Sequence, residues 1–572
     1  MADITIPAQG PVGADGLLLH EDDHVAQLAL ALENLEGALA TAGLMPSDLV
    51  AIRISTTDRR LFDDAAEVLT QRLAEHRIRP TIDVRELPWL GQTGMTIAVG
   101  ATVRTARSAS HKEEQSMTSE LTGTPATALR GLCEGRVHLP GDPGYDLART
   151  PWAVHVDQRP AAVAVPHSAQ EVVDVVRAAT AAGLRIAPQS SGHGAGPFVG
   201  VDLSDVVLVR LNEFTGVSID AERRLARVVG GTLWQAVVEA AAPYGLAAMH
   251  GSSPDVAVAG YTLGGGLSWY GRQYGLAAHH LRAAELVLAD GRLVRVDADH
   301  QPDLFWAIKG GGGSLGIVTA LEFDLLPMPD VYAGMLLWPA ERASEVAHGW
   351  AEWTRGLPDA ASTSLRLMSL PPLPELPPFL SGRKIVVIDG AVLASDDQAA
   401  ELLAPLRALG PEMDTFARMP AAGLTRIHMD PEGPTPSVTR SLALADLPSD
   451  AVDALLRSAG PESGSSLLAA EIRHLGGALG RPGDGALPSL PGDYLGFFLA
   501  IAPTPEIAAQ GLADASRAVE ALGPWASGGR YLNFVDNSVD TSTGYPAEDW
   551  RRLQDARAAV DPEGRLLANH AV

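Results

Sequence analysis

Between Val25 and Leu44 apolar residues recur at helical spacing (Val25, Leu28, Leu32, Leu35, Leu39), and Gly43 and Pro46 close the run. The period then drops to that of a strand over Leu49-Val-Ala-Ile-Arg-Ile54. It returns to helical over Ala65–His76, and Thr81-Ile-Asp-Val84 and Met95-Thr-Ile-Ala-Val99 alternate like half-buried strands. This predicts a compact α+β unit over 1–107. Residues 108–125 hold no sustained apolar period and read as a linker. From Ala162 the alternation resumes: a strand over Ala162–Val165, a helix over Ala169–Ala182, a strand over Arg185–Ala187. Beyond residue 328, strand-like runs (Gly334–Trp338, Lys384–Ile388, Leu467–His474, Tyr494–Ile501) alternate with helical ones (Ala343–Arg355, Asp397–Leu409, Ser449–Ala459). That is the pattern of a sheet with helices on one face. The proline-rich Pro371–Pro378 is a loop and reads as a spacer.

A length of 572 residues allows three or four domains, and a hydrophobic content of 46% fills large cores. The formal charge of −26 argues against nucleic acid and anionic membranes as partners. A single cysteine, Cys133, rules out a disulfide framework and a cysteine-based metal cluster. No metal is expected. The first residues lack the features of a secretion signal and no segment reaches the apolar length of a membrane span, so a cytoplasmic location is expected.

Three glycine-dense stretches lie between Ile186 and Thr319: Gln189-Ser-Ser-Gly-His193-Gly-Ala-Gly196, Gly251 to Gly266, and Gly310-Gly-Gly-Gly313-Ser-Leu-Gly316. Each adjoins an apolar β-branched run, the composition of strands feeding turns where bare backbone meets a large ligand. A Rossmann turn would have to open a helix, but Pro197-Phe-Val-Gly-Val-Asp202 follows the first stretch. A Walker loop is excluded because Lys309 precedes its glycines. The backbone N–H groups of Ser190–Gly194 can cradle a pyrophosphate without a cationic side chain.

Residues 10–104 resemble the RidA (reactive intermediate deaminase) family through Ala31–Leu39, Ser55-Thr-Thr-Asp58 and Arg79-Pro-Thr-Ile-Asp-Val84-Arg-Glu-Leu-Pro88. The resemblance implies a chorismate-mutase-like fold, a carboxylate clamp at Arg79 and a trimeric assembly. The family's glutamate appears as Ala98 and its early tyrosine as Val12. With no group to direct water, the domain reads as a degenerate, structural or oligomerising module.

Residues 125–572 strongly resemble the berberine-bridge-enzyme-like FAD-linked oxidases of the vanillyl-alcohol-oxidase superfamily. The motifs are Ser191-Gly-His-Gly194, His250-Gly-Ser-Ser-Pro-Asp255, Gly260-Tyr-Thr-Leu-Gly-Gly-Gly-Leu-Ser-Trp269, Arg272-Gln-Tyr-Gly275, Asp303–Gly310, Tyr531-Leu-Asn-Phe534 and Asp561-Pro. The resemblance implies a PCMH-type FAD domain of two α+β subdomains (126–327), a substrate domain on an antiparallel sheet (328–520) and a C-terminal return (521–572). FAD would be held by Gln189, Ser190, Ser191, Gly192, Gly194, Gly196, Ser252, Ser253, Val258, Gly260, Gly265, Gly266, Ile317, Asn533 and Asn569, and bonded covalently to His193. Ser253 occupies the place of the family's second, cysteinyl attachment. A hydroxyl is too weakly acidic to replace a thiolate, so one covalent bond is expected. Tyr531 is the implied base, with Glu471 and His474 as further candidates. Residues three apart face opposite sides of a strand, so only one of that pair can face the pocket. Arg473 is placed to pair with Glu471.

The implied activity is hydride removal from an alcohol, sugar or C–N centre of a small molecule, with dioxygen as acceptor. The rival readings are a redox-neutral cyclase or isomerase, and imine hydrolysis by the first domain.

Overall fold

In the computed structural model the described residues are 2–9, 11, 19–20, 23–41, 45–46, 49–76, 78, 80–86, 95–105, 124–372, 380–430 and 433–572. Arg79, Val12, the 108–123 part of the linker and most of the Pro371–Pro378 loop lie outside them. The chain forms two compact units, the first of Met1–Gly123 with Gly141–Pro143 and the second of Thr124–Pro140 and Gly144–Val572.

In the first unit, strands Ala2–Gln9, Ile97–Thr105, Leu49–Thr56 and Thr81–Glu86 form one sheet in that order. The last two are parallel and the other pairs antiparallel. Helix His24–Thr41 buries Leu28, Leu32, Leu35 and Leu39 of the predicted stripe together with Ala31, whereas Val25 in its first turn is exposed. The second helix starts at Arg59, not Ala65. The Asp58 carboxylate accepts from the Arg60 backbone N–H at 2.9 Å, and Phe62 buries a turn earlier than the apolar pattern suggested. Ala98 is buried opposite Ser55, on a strand that begins at Ile97.

The second unit has three larger sheets and a two-stranded one that pairs Leu246–Ala247 with Leu326–Pro327. Strands Val137–His138, Ala162–Ala164, Val206–Arg210 and Arg185–Gln189 form the first, its last three members parallel. Helix Ala169–Ala181 lies against it through Val172, Val173, Val175, Val176 and Ala179. Ser168 caps that helix by accepting from the Glu171 N–H. The second sheet is antiparallel, in the order Leu293–Asp297, Leu281–Val287, Ile317–Asp324, Leu225–Val229, Val217–Asp220. The chain end returns to the first sheet, where Leu566 bridges Ile186 and Leu567 N–H donates to the Ile186 carbonyl at 2.8 Å.

The third sheet has eight antiparallel strands, with Ala361–Ser369, Lys384–Val392 and Ala469–His474 near its centre. Alternation sorts their side chains. Leu365, Leu367, Val386, Ile388, Ala470 and Ile472 join the core under helices Ala343–Thr354, Asp396–Arg407, Ser449–Ala459 and Pro505–Leu522. Ser364, Arg366, Asp389, Glu471 and Arg473 therefore occupy the opposite face, which the flavin-motif region covers. Strands Ala361–Ser369 and Ser437–Leu444 and helix Pro505–Leu522 were not anticipated from the pattern. No helix of the described residues is long and apolar enough to cross a membrane.

Two glycine stretches differ from their reading as ligand-pressed turns. Val258–Leu263 is a short helix that buries Val258, Ala259, Thr262 and Leu263. Its neighbours Gly265 and Gly266 have φ of +106° and +79°. A Cβ on Gly265 would lie 2.7 Å from Leu487 Cδ2, and one on Gly266 2.5 Å from Tyr261 Cε1. Gly310, at φ +101°, would meet Leu487 Cβ at 2.3 Å. Protein atoms, those of Leu487 above all, are what require these glycines. Gly310→Ala combines a left-handed backbone with that overlap, so it should destabilise the chain by roughly 2–4 kcal/mol, measurable as a lower denaturant midpoint.

Candidate functional site

His193 sits on the turn after strand Arg185–Gln189. Gly192, at φ +85°, brings the turn so close to Pro151 that a Cβ there would stand 2.7 Å from the proline Cβ. The contact lays the His193 ring on Trp152, with centroids 3.9 Å apart and planes 21° apart. His193 Nε2 stands 3.2 Å from Asp255 Oδ1, at contact distance but off the hydrogen-bond direction. Trp152 Nε1–H donates to Asp255 Oδ2 at 2.6 Å, and Gly433 N–H reaches the same oxygen at 3.4 Å. Burial opposes ionisation of Asp255, but His193, Trp152 and Gly433 outweigh it and hold the carboxyl below its usual value. Gln189 accepts from Arg210, a buried cation whose pKa burial lowers to about 10. A cationic side chain thus does lie beside this turn.

The remaining FAD candidates surround this cradle. Asn569 Nδ2 donates to the Gly194 carbonyl at 3.0 Å. Gly196 abuts Asp536, whose buried carboxyl is pushed up to about 7. Asn533 Nδ2 donates to the Tyr261 carbonyl at 2.9 Å and lies 3.2 Å from Tyr531 Oη. Ile317 is buried at the start of its strand, and Ser190 and Ser191 follow the strand that ends at Gln189. Ser252 and Ser253 both donate to Asp430 Oδ2, at 3.2 and 2.9 Å.

These residues fit a large polar cofactor. A Cβ on Gly260 would find nothing within 4 Å, and one on Gly313 only the Ala568 Cβ at 3.6 Å. His250 Nε2, Tyr261 Oη, Thr262 Oγ1, Trp269 Nε1 and Tyr270 Oη are buried with no hydrogen-bond partner in the protein. Buried polar atoms of this number call for a partner of another kind.

Facing the cradle, the third sheet carries a buried ionic network. Arg366 pairs with Asp389 at 2.6 Å and donates to the His428 carbonyl at 2.8 Å. His428 Nδ1 lies 2.9 Å from Asp389 Oδ2 and its Nε2 3.5 Å from Glu471 Oε1. Arg473 Nε closes on Glu471 Oε1 at 2.7 Å, while its outer nitrogen reaches Ser252 Oγ at 3.4 Å. Burial and Arg366 oppose protonation of His428, but Asp389, Glu471 and Asp430 prevail and raise it to about 9. Arg473 and His428 drive Glu471 far below the carboxylate range despite its burial. Ser252, Ser268, Ser362, Thr363, Trp269 and Arg473 line a cavity here.

The three sequence candidates for a base take different positions. Glu471 joins the network and pairs with Arg473. His474 also borders that cavity, but its ring is stacked on Tyr494 with Nε2 3.2 Å from Arg272, and burial with Arg272 lowers it to about 3. Tyr531 is buried among Leu267, Leu479 and Leu487, and burial pushes its phenol well above the ordinary value despite donors from Asn533, Gly266 and Leu267. A base needs the opposite shift. His428, Asp389, Arg366, Asp430 and Trp152 went unnoticed in the sequence because no local motif joins them. Asp255 was visible within His250-Gly-Ser-Ser-Pro-Asp255, but without a role.

Comparison with known proteins accords with this geometry. Residues 160–297 match the FAD binding domain family and residues 4–103 the family described as Endoribonuclease L-PSP. The (R)-6-hydroxynicotine oxidase of Paenarthrobacter nicotinovorans is 36% identical over 215 residues, 37% of this chain and 46% of that protein. The glucooligosaccharide oxidase of Sarocladium strictum is 32% identical over 195 residues, 34% of this chain and 39% of that protein. The aligned part thus spans less than half of either relative. An uncharacterised FAD-linked oxidoreductase of Bacillus subtilis aligns over 75% of this chain and 96% of its own length at 25% identity. Among solved structures, the berberine-bridge-like protein 1 of Physcomitrella patens has a TM-score of 0.68 at 20% identity, covering 79% of this chain and 99% of its own. Residues 160–297 carry an FAD-binding domain, and the second unit has the fold of the berberine-bridge-like structure. The chain is thus similar to FAD-linked oxidoreductases through its second unit and to the RidA-like family through residues 4–103.

The His428 shift has a consequence for stability. Its folded value, about 9, lies above the 6.5 of a free imidazole, so its contribution is complete below about 6.5 and is lost as pH rises through about 9. Melting temperature should fall between pH 7 and 10, and fall less steeply in His428→Gln, as scanning calorimetry at matched ionic strength would show.

Proposed function

We propose that the second unit removes hydride from a C–O–H or C–N–H centre of a small molecule, with FAD bonded to His193 and dioxygen taking the electrons. The observation that carries this is the facing pair of the His193–Trp152–Asp255 cradle and the hydroxyl-lined cavity beside Arg473. The names of relatives that oxidise hydroxynicotine or oligosaccharides support the same class of substrate. FAD, when bound, supplies the two-electron acceptor. The chain's residues supply position and proton handling. The Arg473 charge, neutralised by Glu471, is held rigid against one wall and can donate to a substrate oxygen.

Glu471 and Asp389 are sealed behind that wall and firmly ionised, which suits counter-charges and not proton acceptors. Asp430 is the cluster's part-open carboxylate, its side chain 30% exposed, with the Ser252 and Ser253 hydroxyls on Oδ2. We assign it the substrate's proton, relayed by Ser252. In the first unit, the buried methyl of Ala98 supports a scaffolding role, with trimeric assembly as the form it would take.

Anaerobic mixing with reducing oligosaccharides and hydroxylated cyclic amines should bleach the flavin stoichiometrically with one of these classes. Asp430→Asn should slow that bleaching by roughly 10²–10⁴-fold with flavin content unchanged. Product formed without bleaching would replace this reading with redox-neutral chemistry.

A further inference from the structure

The three groups that hold the His193 ring come from distant parts of the second unit, and each fixes a different degree of freedom. Gly192 pressed on Pro151 sets the height of the turn, and the Trp152 ring sets the plane of the imidazole. Asp255 presents a carboxylate oxygen 3.2 Å from one of the imidazole nitrogens, Nε2. Its own orientation is pinned, since Oδ2 accepts from Trp152 Nε1 and Gly433 N–H and only Oδ1 is turned to His193. Trp152 thus touches both partners, one through its face and the other through its N–H. Among the described residues, His193 Nε2 and Asp255 Oδ1 are both buried without a hydrogen-bond partner and stand 3.2 Å apart, so a small turn of the ring would aim an Nε2 proton at that oxygen.

We infer that Asp255 is the positioning residue for formation of the flavin link: it holds the proton of His193 on Nε2, leaves Nδ1 as the nucleophile, and accepts the Nε2 proton as the bond forms. The inference rests on the covalent reading of His193 given above. An N–C bond forms between Nδ1 and the flavin 8α-carbon, and one methyl C–H bond breaks. The imidazole loses its N–H proton through Asp255. The two protons and two electrons released leave with dioxygen as one hydrogen peroxide per bond made. A neutral imidazole is the reactive form, and a fixed carboxylate on the far nitrogen raises the electron density of the ring as the new bond develops. Neither Ser252 nor Ser253 can substitute, because both hydroxyls are engaged by Asp430.

The test uses the full-length chain made in riboflavin-starved cells and then incubated with FAD in air. Covalent flavin is read as colour retained after acid precipitation, with peroxide counted in parallel. The unmodified chain should reach one covalent flavin per chain with one peroxide, and NMR of the released aminoacyl flavin should show the Nδ1 isomer. Asp255→Asn should attach at least about tenfold more slowly while still binding FAD reversibly, and Asp255→Glu should recover much of the rate. Trp152→Phe keeps the stacked ring but frees Oδ2, and should slow attachment about threefold or more. That variant keeps the question decidable should Asp255→Asn fail to bind FAD. Attachment at the unmodified rate in Asp255→Asn or in Trp152→Phe, failure of Asp255→Glu to recover it, or a bond through Nε2 would each overturn the inference. An unmodified chain that releases all its flavin in acid would instead defeat the covalent reading of His193, and this inference with it.

Discussion

The arrangement of the second unit depends on a buried set of charges on the inner face of the third sheet. Arg366, Asp389, Glu471 and Arg473 alternate with core residues on three neighbouring strands, and His428 stands among them. Removing this many charges from water is costly, and the set is tolerated because the signs balance. With His428 protonated, three cations (Arg366, His428, Arg473) meet three carboxylates (Asp389, Glu471, Asp430). Taking away any one leaves a neighbour uncompensated. The sheet can therefore present a polar face to a cofactor site while its other face packs as an ordinary apolar core.

The glycine stretches play a mechanical part in closing the site. Leu487 fills the space a Cβ on Gly265 or Gly310 would need, and Asn533 fills that at Gly264. Both come from far along the chain, so these glycines let later segments dock on earlier ones. Gly260 differs, because the space before it is open. The same stretch thus holds one glycine consistent with ligand approach and three demanded by packing. The C-terminal segment completes the closure through Leu566, Leu567 and Asn569.

Much of this architecture was legible in the chain. The stripe from Leu28 to Leu39, the Ala169–Ala181 helix and the strand at Lys384 follow from period alone, because each buries one regular face. The FAD module was legible through its ordered motifs. Element boundaries were less so, as at Arg59, where a side-chain cap overrode the apolar pattern. Ser437–Leu444 was missed because Arg440 and two serines interrupt its apolar run, although it pairs along its full length with Tyr494–Ile501.

What the sequence by itself determined is therefore the set of local periods, the kinds of residue at the turns and the family of the cofactor, since these are properties of contiguous stretches. Which atoms meet was decided by tertiary structure. Asp255 and Trp152 are 103 positions apart yet share a 2.6 Å hydrogen bond, and Glu471 meets His428 across two elements. Burial pushes Tyr531 well above its ordinary value, and carboxylates on other elements raise His428 to about 9. No spacing along a chain encodes such a field, because it exists only where the folded backbone brings the groups together and excludes water from between them.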